Sequence, residues 1–231
     1  MTKNALADFP YLIRKVITAK ARQTMTKPNL RVVSPTTKIR KVTPRRPKNG
    51  EVRTREYLTE REVEQLIEGC SGNRRPHRDQ TMILLAFRHG LRASELCDLQ
   101  WTQVDFDHAT LAVTRVKHGT PSTHPLTGRE LRVLRRLHRE TESKSPFLFL
   151  SERGSPMTVS NFQKLVSRAC KNAGLKIKVH PHMLRHACGF HQANAGRDTR
   201  SLQAYLGHKN IQHTVRYTEL APTRFKGWWK D

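Results

Sequence analysis

Residues 179–220 read VHPHMLRHACGFHQANAGRDTRSLQAYLGHKNIQHTVRYTEL, and the way this stretch folds sets where four chemically active side chains stand. Pro181 suits the first turn of a helix, where its missing N–H would have had no partner and its φ is already helical. HMLRH therefore opens a helix, and His182 and Arg185, three apart, share a face of it. Asp198 offers a carboxylate N-cap to TRSLQAYL, and Gly207 offers a stop. His208 falls in the break that follows. A last helix, NIQHTVRYTEL, carries Tyr217. Two imidazoles, a guanidinium and a phenol together suit a phosphodiester. A guanidinium binds phosphate through a planar fork and stays charged. An imidazole donates to a phosphate oxygen or moves a proton near neutral pH. A tyrosine phenolate is a covalent nucleophile. Taken singly, each of the four reads as readily as a packing or surface residue, so the rest of the chain has to decide.

Upstream, the folded part begins at Thr59, where TERE forms a capping box with Leu58 and Val63 as its hydrophobic staple. This helix should run to about Cys70. GNRRP is a loop, and HRDQTMILLAFRH is a strongly apolar helix closed by Gly90. In GLRASELCDLQW, Arg92 sits in the break, and Leu96 and Leu99 face the core from a short helix. The period then changes from helical to alternating. VDFDHATLAVTRVKHGTPSTHPL contains two turn-prone spots and predicts a small antiparallel sheet, with Lys117 at a strand end beside the HGT turn. TGRELRVLRRLHRET is a basic amphipathic helix, and PFLFLSERGSP a short strand and turn. MTVSNFQKLVSRACKNAG predicts a helix with Val159, Phe162, Leu165, Val166 and Ala169 inward and Gly174 as its stop. The fold class is therefore mixed, mainly α with a small antiparallel β-sheet.

Charge points to the partner. Lysine and arginine number 43 against 19 acids, a net of +24, the electrostatic footprint of a nucleic-acid binder. Residues 1–55 hold fifteen of the basic residues and only two acids, Asp8 and Glu51. PYLIRKVITAKARQ fits one short amphipathic helix there, but the proline-broken remainder has too few large apolar side chains to build a core. It reads as a flexible basic arm, lying on nucleic acid or solvated. The four cysteines are isolated, without a CxxC pair, as expected of thiols in a reducing compartment. No apolar run reaches membrane-spanning length, so a cytoplasmic, nucleoid-associated protein with no membrane contact is expected. HMLRH spaces two histidines four apart without the adjacent glutamate of a zinc protease helix, so no metal is predicted. His180, His186 and His191 read as structural. Tyr205 lies on an apolar helical face and reads as core.

In chain order the set becomes Arg92, Lys117, His182–x–x–Arg185, His208 and Tyr217. GLRASEL, the hairpin lysine, HPHMLRH, YLGH and HTVRYTEL together resemble the tyrosine recombinase (phage integrase) family, over about residues 57–220. RASELC, THPL, HPHMLRHACGF, DTR, YLGHKNI and the RF..W ending are most similar to the short fimbrial phase-variation DNA invertases. The larger family members carry a helical core-binding domain in front, and here only about 55 proline-broken residues precede the match. The resemblance implies a catalytic domain over 56–220, and a tail, 221–231, docking on a neighbouring protomer. It implies that Tyr217 attacks the scissile phosphate to give a 3′-phosphotyrosine without ATP. Arg92 and Arg185 would hold the non-bridging oxygens, Lys117 would protonate the leaving oxygen, His182 would assist proton transfer at Tyr217, and His208 would donate to the phosphate. Glu95 would orient a guanidinium from behind. With so many cations present, no metal or other cofactor is needed to neutralise the phosphate. Double-stranded DNA, a homotetramer on paired sites and DNA-bending accessory proteins are the implied partners, and inversion of a promoter segment the narrower outcome. Two alternatives stand beside this reading: DNA relaxation of the type IB topoisomerase kind, and a DNA-binding regulator that does not cut.

Overall fold

The computed structural model describes residues 55–116, 119–141, 145–219, 221 and 225. The expected arm up to residue 54 with its short helix, Lys117, and all of the 221–231 tail but residues 221 and 225 lie outside the described residues.

Thr59 caps helix α1 (Glu60–Glu68) through the predicted reciprocal box: the Glu62 amide donates to the Thr59 hydroxyl at 3.3 Å, and the Thr59 amide to the Glu62 carboxylate at 2.8 Å. Leu58 and Val63, the staple, are both buried. Helix α2 (Pro76–Arg88) is apolar nearly all round, which suits a helix covered on every side, and every residue from Thr81 to Phe87 is buried. Around it pack α1, α4 and α6. The short α3 (Ala93–Cys97) follows, sending Leu96 into the core.

The period-2 segment forms three strands, β1 (Val104–Asp105), β2 (Thr110–Val113) and β3 (Ser122–Pro125), in an antiparallel sheet of order β1-β2-β3. Leu111 pairs with His124 and Val113 with Ser122, and this register turns Leu111, Val113 and His124 inward. Helix α4 (Gly128–Glu140) starts at a Thr127–Glu130 box and buries Leu134 and Leu137. The expected strand in PFLFLSERGSP reduces to two isolated bridges, Gln100–Phe147 and Leu150–Pro156. Leu148, Phe149 and Leu150 are buried, so packing rather than a ladder holds this segment.

Thr158 caps α5 (Val159–Asn172), which buries Phe162, Leu165, Val166 and Ala169. Val159 departs from the expectation: it stands 37 % exposed, because it occupies the first helical position, beyond the edge of the core. Helices α6 (Pro181–Asn194), α7 (Thr199–Leu206) and α8 (Gln212–Glu219) then fold in the predicted order. Asp198 caps α7 by accepting from the Arg200 and Ser201 amides. Gly207 ends α7 at φ +65°, and a Cβ there would lie 2.6 Å from Arg115 Cγ. Only glycine gives both the left-handed turn and that approach. Both α7 and α8 pack on α6, and α7 also touches β3. The predicted fold class, mainly α with a small antiparallel sheet, is the one found.

Candidate functional site

The site is assembled on one buried carboxylate. Glu95, 4 % exposed, sits in the first turn of α3 and accepts the Arg92 backbone amide at 2.9 Å and Arg92 Nη1 at 2.6 Å. From β2's far end it accepts Arg115 Nη1 at 3.0 Å and the Val116 amide at 3.2 Å. Arg185 Nη1 of α6 stands 3.9 Å away. Burial alone would raise the Glu95 pKa, but the Arg92 amide and the Arg115 and Arg92 cations outweigh it and hold the carboxyl below its usual range. One anion thus compensates three arginines drawn from three elements.

Arg185 is 1 % exposed, and its two Nη groups donate to the carbonyls of Gly90 and Leu206. Both carbonyls lie at or just past helix ends, where the backbone has acceptors to spare and carries partial negative charge. Burial, then repulsion from Arg92 and Arg115, brings the Arg185 pKa down to about 10, which leaves it cationic at neutral pH. Arg115, whose side chain is fully buried, fastens the same two helix ends from the other side: its Nη2 donates to the carbonyls of His89 and Tyr205. Tyr205 in turn donates its hydroxyl to the Arg88 carbonyl at 2.8 Å and stacks on His124 at 3.9 Å, a structural role as expected.

In front of this cluster opens a cavity of about 680 Å³ bordered by Arg92, Arg200, Lys209, His208 and His213. Gly119, two residues after Lys117, also borders it. His208 Nδ1 lies 2.8 Å from the Thr214 hydroxyl. Burial, followed by the Arg185 and Arg92 charges, pushes the His208 pKa down to about 3, so the imidazole is neutral. Three cations facing one open cavity attract an anion with several oxygens, and among the described residues no group of three His, Cys, Asp or Glu side chains is placed to hold a metal ion.

Tyr217, on α8, is 2 % exposed and lies with its ring against Gly189 and Phe190 of α6. Its ring is parallel to that of His208 at a centroid distance of 6.3 Å. Burial raises its pKa, with Arg185 and Arg216 opposing. The hydroxyl lies 2.8 Å from Nδ1 of His186. His182, one turn earlier, has its ring edge-on to His186 at 4.4 Å and is exposed to solvent.

Of the seven residues singled out from sequence, Arg92, Glu95, His182, Arg185, His208 and Tyr217 come together here, and Lys117 lies outside the described residues. Two further residues join them. Arg115 gives no signal in the sequence beyond an alternating strand pattern. His186 reads there as structural, and instead it is the histidine in contact with the Tyr217 hydroxyl. Helical spacing puts His182 and His186 on one face, but only the fold shows which of them meets a tyrosine 31 positions away.

The family model described as the phage integrase family matches residues 56–224. The chain belongs to the phage integrase family. Among curated relatives it is 41 % identical to the type 1 fimbriae regulatory protein FimB of Escherichia coli K12, over 76 % of this chain and 90 % of FimB. It is 39 % identical to FimE of the same strain, over 76 % and 91 %. The tyrosine recombinase XerA of Pyrococcus furiosus is 35 % identical over 73 % of this chain, which spans 59 % of that longer protein. The crystal structure of XerA recombinase superposes with a TM-score of 0.64 at 27 % identity, over 72 % of this chain and 61 % of XerA. The XerH site-specific recombinase bound to its difH substrate shares the fold, with a TM-score of 0.65 at 21 % identity over 78 % of this chain and 54 % of XerH. As a member of this family the chain is a tyrosine recombinase, and these likenesses favour neither a topoisomerase nor a regulator that does not cut.

Proposed function

We propose that this protein cuts and rejoins double-stranded DNA at specific sites, inverting a promoter segment as the fimbrial proteins it resembles are expected to do, and that Arg92, Lys117, His182, Arg185, His208 and Tyr217 carry the chemistry. The observation that supports this most is that Arg92 and His208 border one basic cavity, that Arg185 lies buried behind Arg92 on the same Glu95 carboxylate, and that Tyr217 stands on the helix that also brings His213 to the cavity.

The chemistry follows from charge. A phosphodiester in the cavity gains a second negative charge as it becomes five-coordinate. Arg92 and Arg185, already held in place by Glu95 and by backbone carbonyls, meet that charge without reorganising. His208, neutral and oriented by Thr214, donates its remaining N–H to a non-bridging oxygen. Tyr217 Oη attacks phosphorus, the bond to the 5′-oxygen breaks, and Lys117 protonates that oxygen. His182 helps carry the phenolic proton toward solvent. The phosphotyrosine preserves the energy of the broken bond, so a 5′-hydroxyl from another strand reverses the step without ATP. Cations do the neutralising that paired metal ions perform in other nucleases. Strand exchange between two sites calls for four such units, hence a homotetramer, with DNA-bending accessory proteins bringing the sites together. Residues 1–55 act as a basic arm on the DNA backbone, 56–220 as the catalytic domain, and 221–231 as a tail reaching a neighbouring protomer. Its work is on the chromosome in the cytoplasm; among the described residues no helix is long and apolar enough to cross a membrane.

Covalent capture tests this. The protein is mixed with sheared host DNA, denatured, and the protein-linked fragments are sequenced at their ends, with Tyr217→Phe in parallel. Adducts at a few inverted-repeat sites, absent from Tyr217→Phe, are expected. Adducts scattered over the DNA would indicate relaxation instead. DNA binding without any adduct would indicate a protein that does not cut.

A further inference from the structure

Tyrosine is a poor nucleophile until its proton leaves, and burial makes that departure harder for Tyr217. The group best placed to receive the proton is the one already in contact with it. Nδ1 of His186 lies 2.8 Å from the Tyr217 hydroxyl, within the hydrogen-bond reach that a general base requires. His186 is 8 % exposed and adjoins Arg185 in sequence, on the helix whose Gly189 and Phe190 form the bed of the tyrosine ring. The contact is therefore built into the packing of α8 on α6.

We propose that His186, rather than His182, is the general base for Tyr217, and that His182 serves as its outlet to solvent. The inference rests on the recombinase reading of the same site. In the forward step the Oη–H bond breaks, its electron pair forms the new O–P bond, and the proton passes to Nδ1 of a neutral His186. The P–O5′ bond breaks, and the 5′-oxygen takes its proton from the separate acid, Lys117. In religation the 5′-hydroxyl gives its proton back to neutral Lys117 as its oxygen bonds to phosphorus, the tyrosine O–P bond breaks, and the His186 imidazolium returns its proton to the departing tyrosine oxygen. Atoms and charges balance in both directions, and no outside reagent is required.

The surroundings keep His186 in its accepting form. Facing it are His182 on its own helix, His180 just before that helix, Arg216 and Tyr217 from α8, and Glu56 from the segment before α1. Arg216 is paired with Glu56 at 2.8 Å, so the Glu56 carboxylate is already partly neutralised. Burial first, then His182 and Arg216, lower the His186 pKa to about 4. At rest the ring is neutral. A DNA phosphate in the adjoining cavity brings negative charge that stabilises the imidazolium as it forms, so the base gains strength when substrate is bound.

The test uses the full chain and a nicked duplex carrying a site recovered by covalent capture. Single-turnover cleavage is measured from pH 5 to 9 for wild type, His186→Asn, His186→Gln and Lys117→Ala. The asparagine and glutamine amides can accept the tyrosine hydrogen bond but cannot take the proton. Both His186 variants should lose at least tenfold in rate across this range, within the span of general base catalysis. A duplex with sulfur in place of the bridging 5′-oxygen supplies a leaving group that needs no acid. It should restore Lys117→Ala and leave the His186 defect untouched. Cleavage by either His186 variant within threefold of wild type would overturn the proposal, as would rescue of both by the sulfur substrate. Failure of wild type to form any adduct would overturn the recombinase reading instead. If the variants fold poorly, fluorotyrosine-labelled wild type decides without DNA: the ¹⁹F signal assigned by Tyr217→Phe should follow a titration well below pH 6.5. A signal that does not move between pH 3 and 7 would overturn the proposal.

Discussion

Replacing Glu95 by glutamine keeps the shape of the side chain and removes its charge. In the folded protein the Arg115 side chain is fully enclosed and that of Arg185 is 1 % exposed, so neither guanidinium can turn to water for compensation. Removing one partner of a buried ion pair costs about 3–5 kcal/mol. For a domain of this size each kcal/mol moves the midpoint by about 2–4 °C, which predicts a fall in Tm of roughly 6–20 °C. Glutamine retains an acceptor for the Arg92 amide, so the capping of α3 survives and the loss isolates the charge. A double-mutant cycle with Arg115→Met separates the terms. If the two side chains act as a pair, the double variant should be more stable than the sum of the single losses by about 1–3 kcal/mol. Thermal unfolding by circular dichroism, at protein concentrations where the curve does not depend on concentration, measures all four corners. A Tm change under 2 °C in Glu95→Gln would refute the view that this carboxylate compensates the three arginines. Strict additivity in the cycle would refute the pairing with Arg115.

Gly189→Ala should separate placement from stability. Its Cβ would lie 2.8–2.9 Å from three ring atoms of Tyr217, so the ring must retreat by several tenths of an ångström, and a nucleophile misplaced by about 1 Å loses about a hundredfold in rate. Alanine also gains about 1 kcal/mol of helix propensity, so cleavage should fall at least tenfold with Tm nearly unchanged; full activity would mean that Tyr217 reacts from somewhere other than this seat. Acid should weaken the fold before its carboxylates titrate. His124, His186 and His208 are held down to about 3, 4 and 3 by burial and neighbouring charge, so below pH 6.5 the unfolded chain binds protons that the native state refuses, and stability falls as pH falls. Glu130, held down to about 2, contributes nothing to this slope above its unfolded pKa, so a urea midpoint that stays flat from pH 7 to 5 would contradict the burial of these imidazoles. Deleting residues 1–54 should reduce the salt slope of DNA binding by roughly one for each phosphate that the arm neutralises, and an unchanged slope would argue that the arm does not touch the backbone.

The parts of this fold legible in the sequence are those whose causes are local. Thr59 with Glu62, Asp198 before α7 and Gly207 after it each act within four residues, and each stands where capping chemistry puts it. The alternation across residues 104–125 likewise gives the sheet, because period 2 leaves no other way to bury Leu111 and Val113. Val159 defeats the same local logic: the helical pattern places it on the inner face, but its position in the first turn lies outside the core. PFLFLSERGSP shows a related limit. An apolar run of three buried residues satisfies packing, and nothing in it specifies a partner strand.

The site is legible to the extent that its residues share an ordered set of motifs, and illegible where function depends on contacts across the chain. Arg115 meets carbonyls 26 and 90 positions away, and Arg185 meets one 95 positions away. A backbone carbonyl carries no side-chain signature, so no pattern of residue types could have announced these bonds. Yet they explain why the arginines need so few acids. Guanidinium groups that lean on helix-end carbonyls are held by dipoles, which fix their direction without cancelling their charge. A second carboxylate in place of those carbonyls would have steadied Arg185 equally well and spoiled the cavity for an anion. Glu95 alone satisfies three cations because the backbone carries the rest of the orientation, and the surplus positive charge that results is what an incoming phosphodiester would meet.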